Sequence, residues 1–125
     1  MDDVRGFAHV SGDHNPIHVD EQAGKASRFG RCIVHGWFTA SMFGTLFATA
    51  IPGAVYMAQT IDMHKPVFVG DTVAAKVQVS SVVPRGRGVQ VKCVTTCTVQ
   101  RDGAAIKVIS GEGTIYLEAP KAAAL

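Results

Sequence analysis

HGWFTASMFGTLFATA, residues 35–50, is the stretch on which the fold turns. No Asp, Glu, Lys or Arg occurs between Cys32 and Ile61, and bulky apolar side chains fall all round a helical axis here. A helix of that kind either spans a bilayer or lies inside its own protein. Residues 33–51 fall just short of the roughly 20 apolar residues a span requires. They also contain His35, Gly36, Ser41, Gly44 and three threonines, which dilute the hydrophobicity. The expectation is therefore a buried helix over about 35–50, stopped by Pro52-Gly53. Ala40, Gly44 and Ala48 recur every fourth residue, a smooth stripe that lets a sheet or a partner helix approach. Phe38, Met42, Leu46 and Phe47 supply bulk elsewhere around the axis.

Downstream the pattern changes to strands. Residues 54–68 read as one long strand, with Pro66 near its end where a missing donor is tolerable. Val69-Gly70-Asp71 is a turn. Residues 72–83 alternate Val73, Ala75, Val77 and Val79 against Lys76, Gln78 and Ser80, the pattern of a half-buried strand. Residues 84–88 form a loop, 89–100 a third strand, Arg101-Asp102-Gly103 a hairpin turn, and 104–117 a fourth strand, with a tail over 120–125. Upstream, Asp2 and Asp3 start a short helix over about 4–10, and Asp20 caps another to about Ser27. The order is helices first, then an antiparallel meander whose apolar face needs a cover. The uncharged helix is the one element long enough, so the sheet is expected to wrap round it in an α+β fold.

With 125 residues, 47% hydrophobic and 18% charged, the chain is read as a single packed domain, residues 1–125. A net charge of +2, with no long basic run and no aromatics interleaved with Lys or Arg, argues against nucleic acid. Cys32, Cys93 and Cys97 form no C-x-x-C pair and cannot all pair with each other, which favours a reducing compartment and buried thiols. No zinc-ligand spacing is present, and Met-Asp-Asp with no apolar run behind it does not read as a signal peptide. Cytoplasm is expected, with the mitochondrial matrix as the alternative, and no membrane association.

Chemistry concentrates in Ser11-Gly12-Asp13-His14-Asn15-Pro16-Ile17-His18. Pro16 fixes its own φ and pushes Asn15 out of the helical region, so the stretch is expected to turn rather than form a regular helix. A turn can aim Asp13 and His18 at one point, where a carboxylate and an imidazole hold one water and move its protons. The same residues also suit an Asx-turn beside a surface histidine.

This octapeptide, together with Ile33-Val34-His35-Gly36 ahead of the helix and Pro66-Val67-Phe68-Val69-Gly70-Asp71 at a strand-to-strand turn, resembles the MaoC-like (R)-specific enoyl-CoA hydratases. The resemblance extends over nearly the whole chain. It implies the hotdog fold, an antiparallel sheet round a central helix, and hydration of trans-2-enoyl-CoA to (R)-3-hydroxyacyl-CoA without metal or redox cofactor. It further implies Asp13 and His18 as the catalytic pair, the Gly36 N–H as donor to the thioester oxygen, and a homodimer with the site near its interface. Asn15 is assigned to shaping the substrate loop, and Trp37, Gly44 and Phe47 to the acyl pocket. Arg85 and Arg87, with Arg28 and Arg31 behind them, are candidates for the phosphates of coenzyme A. His35 reads as structural. Two features depart from the family pattern: no strand precedes the first helix, and Trp37 follows Gly36 where Met or Leu is more usual. The alternatives are dehydration of acyl-carrier-protein thioesters, thioester hydrolysis, and a non-catalytic acyl-CoA binding module.

Overall fold

The computed structural model describes residues 1–119. Helix α1, Asp2–Ser11, carries Asp2 and Asp3 in its first turn and ends at Gly12, whose φ of 79° lets its N–H reach the Ala8 carbonyl. A four-residue helix, α2 (Pro16–Val19), follows. Its place inside the expected turn is a correction. Pro16 occupies the first helical turn, where its missing N–H costs nothing, and the Asn15 side chain accepts from the Ile17 N–H. The Asp20 side chain then caps α3, Glu21–Ala26, accepting from the N–H groups of Gln22 and Ala23.

The long helix α4, Gly36–Ala50, buries Thr39, Ala40, Phe43 and Phe47. These lie on one side of the axis, and the expected stripe does not coincide with them. Ala40 is buried, Gly44 is half-buried, and Ala48 is exposed. Nor is the helix enclosed all round, since Trp37 remains 61% exposed. Among the described residues no helix is long and apolar enough to cross a membrane.

Strands β1 (Val55–Gln59), β2 (Asp62–Met63), β3 (Val73–Arg85), β4 (Gly88–Arg101) and β5 (Ala104–Glu118) form one antiparallel sheet. Its order is β1-β5-β4-β3, with β2 beside β5. Strands β3 to β5 are the expected meander, held together by tight turns at Gly86-Arg87 and Asp102-Gly103. The first strand departs from it. The long connection after β2 frees β1 to pair with β5, at the opposite edge from β3. The expected single strand over 54–68 is also divided. A register shift falls between Tyr56 and Ala58, and at Thr60 the chain leaves the ladder, exchanging hydrogen bonds with Glu112. Gly111 permits this approach, because a Cβ there would overlap the Thr60 carbonyl oxygen.

Strand β3 runs through Pro84 rather than stopping at 83, a position open to proline because β3 is an edge strand. Its alternation holds to Val77 and fails at Val79, which is exposed, where a shift between Val79 and Ser81 resets the register. The sheet's inner face presents Val91, Cys93, Thr95, Cys97 and Val99 from β4, at the period of two that strands impose. Most of these join Phe43, Phe47, Val108, Ile109 and Ile115 in the core. All three cysteines are free and buried, and burial pushes the Cys97 thiol up to about 11. The expected tail over 120–125 lies outside the described residues.

Candidate functional site

The loop between α1 and α2 is built from its own short polar side chains. Ser11 Oγ donates to the Phe7 carbonyl and accepts from the Asp13 N–H. Asp13 Oδ1 accepts from the Asn15 N–H at 3.1 Å, and Asn15 Oδ1 from the Ile17 N–H at 3.4 Å. These two consecutive Asx-type bonds reverse the chain and set His18 in α2 facing back towards Asp13.

His18 is 9% exposed, and its Nδ1 lies 2.7 Å from the Ile33 carbonyl. A carbonyl only accepts, so Nδ1 carries the proton, which in the neutral imidazole leaves the lone pair on Nε2. A carboxylate oxygen of Asp13 and a ring nitrogen of His18 come within 4.8 Å of each other. One water making ordinary hydrogen bonds spans up to about 5.5 Å, so both groups can hold the same molecule.

Gly36 opens α4 immediately beside them, and its N–H is one of the four that a helix leaves without an intrahelical partner. Together Asp13, His18 and Gly36 line a cavity of about 570 Å³, with Phe7, Trp37 and Met63 among its other walls. A Cβ at residue 36 would meet the Met63 thioether, the movable end of an exposed side chain, so glycine lets Met63 lie close over the helix start. The turn resembling the family pattern also contributes. The Val67 carbonyl accepts from the Val34 N–H at 2.7 Å, and Ile33 bridges Phe68, fixing the strip that holds His18.

His35, read from the sequence as structural, is buried against the pair. It is 2% exposed, its Nε2 lies 3.0 Å from the Asp13 carbonyl, and its ring stacks on His18 with centroids 3.9 Å apart. Its Nδ1 is buried without a partner, a situation that costs on the order of 1–3 kcal/mol. Asp13, His18 and His35 form a trio with metal-ligand proximity. The rings are stacked at 28° between planes, however, so their in-plane lone pairs run side by side instead of meeting at one point, and the donors do not suit a tetrahedral ion.

The other expected residues divide. Trp37 and Gly44 line a second cavity of about 360 Å³ with Tyr56 and Gln59, and Trp37 also lines the first. Phe47 lies in the core against the edge of the Tyr56 ring, behind the second cavity rather than on its wall. Asn15 is exposed and caps α2. Arg85 and Arg87 sit at the β3–β4 hairpin, where Arg85 donates to Gln90. Within this chain, the β4 stretch from Gly88 at that hairpin to Cys97, which pairs with Ile109 on the first cavity's wall, spans roughly 30 Å at about 3.3 Å per residue. Arg28, by contrast, lines the first cavity with Lys65 and His64. His64, which had no partner in the sequence, pairs with Ser110 Oγ at 2.6 Å. No spacing signal marks Met63 or Lys65, because a chain crossing brings them in.

Residues 1–102 match the family model described as MaoC like domain. The 3-hydroxybutyryl-CoA dehydratase of Methylorubrum extorquens is 41% identical over 99 residues, covering 78% of this chain and 62% of that protein. The mitochondrial 3-hydroxyacyl-[acyl-carrier-protein] dehydratase of Solanum lycopersicum is 38% identical, covering 93% of this chain and 68% of that one. The chain thus spans about two thirds of these relatives' length. Among solved structures, an (R)-hydratase from A. caviae involved in PHA biosynthesis superposes with a TM-score of 0.83 at 31% identity, covering 93% of this chain and 86% of that one. An antiparallel sheet packed on a long helix is the hotdog architecture that the resemblance implied. By sequence and by fold, this chain is a member of the MaoC-like domain family.

Proposed function

We propose that the chain catalyses reversible (R)-specific hydration of trans-2-enoyl-CoA to (R)-3-hydroxyacyl-CoA. The observation that carries this reading is the convergence of Asp13, His18 and the α4 N-terminus on one cavity. Asp13 takes a proton from the water held between it and His18 Nε2, and the water oxygen bonds to C3. The C2–C3 π electrons move onto the thioester oxygen, where the Gly36 N–H and the positive end of the helix dipole receive the enolate charge. Protonation of C2, with His18 taking part in the transfer, completes the addition. In reverse the same groups remove water from a 3-hydroxyacyl thioester. No step requires a metal or redox cofactor.

The acyl-carrier-protein thioester is the second reading of the carrier, favoured by the Solanum lycopersicum relative. A panel of crotonyl-, hexenoyl- and decenoyl-CoA, repeated on a carrier protein, separates the two. Loss of enoyl absorbance with formation of the (R) product is expected. Release of free thiol, or tight binding with unchanged absorbance, would overturn the hydratase reading in favour of hydrolysis or a binding module.

Homodimer formation is part of the proposal. Edge strand β1 exposes Val55, Tyr56 and Met57, and Trp37, exposed on α4, lines one cavity with Tyr56 and Met57, an apolar surface of the kind a partner covers. Light scattering at micromolar concentration is expected to give twice the chain mass, and a monomer mass would refute the dimer. Three free, buried thiols fit a reducing interior, the cytoplasm or a mitochondrial matrix.

A further inference from the structure

We infer that His35 is a positioning residue whose single buried ring fixes the base, its partner imidazole and the oxyanion donor relative to one another. The inference rests on the reading of Asp13, His18 and Gly36 given above. His35 reaches all three. Its Nε2–H donates to the Asp13 carbonyl at 3.0 Å, its ring face lies on His18, and it is joined through its own peptide bond to Gly36. Phe7 packs on it with ring centroids 4.8 Å apart and in turn stacks on Phe38 of α4, which holds the imidazole in place.

A histidine is poorly suited to the structural duties open at this position. It is the N-cap of α4, yet its side chain makes no capping bond, a task that Ser, Thr, Asp or Asn performs well. It is also buried with Nδ1 unpartnered, a penalty that an apolar residue of similar size would avoid. What histidine provides here is a rigid ring bearing a donor at the far edge. The donor anchors the Asp13 main chain, while the ring face limits how His18 can tilt about its bond to the Ile33 carbonyl. The other ties between the two segments run through Ile33, which accepts from His18 Nδ1 and donates to the Ile17 carbonyl, and among the described residues none of them reaches Asp13.

The test compares His35→Leu, which has neither ring nor donor, with His35→Gln, whose amide N–H can replace Nε2–H. For crotonyl-CoA hydration, His35→Leu is expected to lower kcat by about a hundredfold, the scale of an ångström-sized misplacement, with KM within about threefold of wild type. Its thermal midpoint should be equal or higher, because the orphan nitrogen is gone. His35→Gln should recover about a tenth or more of the lost rate. Wild-type kcat in the Leu variant overturns the inference. So does a parallel fall of rate and thermal midpoint that Gln does not relieve, which marks a structural role. Nitrogen NMR reads the geometry independently of turnover: the amide signals of Asp13 and Asn15 should shift in the Leu variant, and so should the His18 ring nitrogens, whose bond to the Ile33 carbonyl loses the stacked ring beside it. If wild type proves inactive on every enoyl thioester, the functional reading fails, whereas unchanged Asp13 and His18 signals in the Leu variant defeat the positioning claim itself.

Discussion

Asp13→Asn is expected to lower kcat for crotonyl-CoA hydration by about a thousandfold, within the range that a positioned general base contributes. The change is confined to the chemistry. Asparagine keeps an Oδ1 to accept from the Asn15 N–H, as Asp13 does at 3.1 Å, so the loop keeps its shape and only the proton acceptor is lost. KM should therefore move little, and the circular dichroism spectrum and thermal midpoint should be unchanged. His18→Ala is expected to cost a similar factor, since it removes the lone pair that holds the water. The double variant should be only slightly worse than either single one, because both groups act on one molecule and their losses do not add. Single-turnover assays on all three proteins decide the matter. Activity persisting at the wild-type level in both single variants would remove the basis for assigning a hydratase.

The turn was legible in the sequence because its signal is local, whereas Asp13 and His18 were singled out as a catalytic pair by the family resemblance. Asp13, Asn15 and Pro16 shape their own turn through short-range bonds, and the distant Ile33 and His35 then fix its two ends. Gly36 entered through the same resemblance, and its seat at the start of the uncharged helix agrees with it. Strands β3 to β5 could be placed from alternation and tight turns. What escaped depends on crossings. The seat of β1 beside β5 follows from a long connection that carries no pairing signal, and with it come Met63, His64 and Lys65 at the cavity. The place of Arg85 and Arg87 was not legible, because charge on a hairpin says nothing about which end of a sheet the hairpin occupies. Nor were the contacts of His35, because burial, stacking and an orphan nitrogen appear only in three dimensions.

Asp71→Ala is expected to destabilise the fold by about 2 kcal/mol, less than the roughly 3–5 kcal/mol of breaking a fully buried ion pair because this one is only partly buried. The side chains of Asp71 and Arg101 are only 15% and 20% exposed, and Asp71 Oδ2 accepts from Arg101 Nη2 at 2.7 Å. The same oxygen takes the Phe68 N–H at 2.8 Å, closing the turn whose Val67 and Phe68 hold the Ile33–Val34 strip beneath the site. Arg101 also donates to the Pro66 carbonyl and lies over one face of the Phe68 ring, while its Nε is already buried and unpartnered. Without Asp71 this guanidinium keeps its burial and loses its countercharge. Removing both partners, in Asp71→Ala with Arg101→Met, should therefore cost less than Asp71→Ala alone, and equal or greater loss in the double variant would show that the charge left behind is not the cause. Acid supplies a second check. Burial opposes ionisation of Asp71, but the Phe68 N–H and Arg101 outweigh it and hold the carboxyl below its ordinary value. Because the folded form is the stronger acid, its contribution is complete above about pH 4 and drains away as pH falls through the depressed folded value. Urea unfolding at pH 7 and again near pH 2.5 should show the gap between wild type and Asp71→Ala narrowing in acid, and a gap of constant size would mean that the carboxylate's charge contributes nothing to the turn.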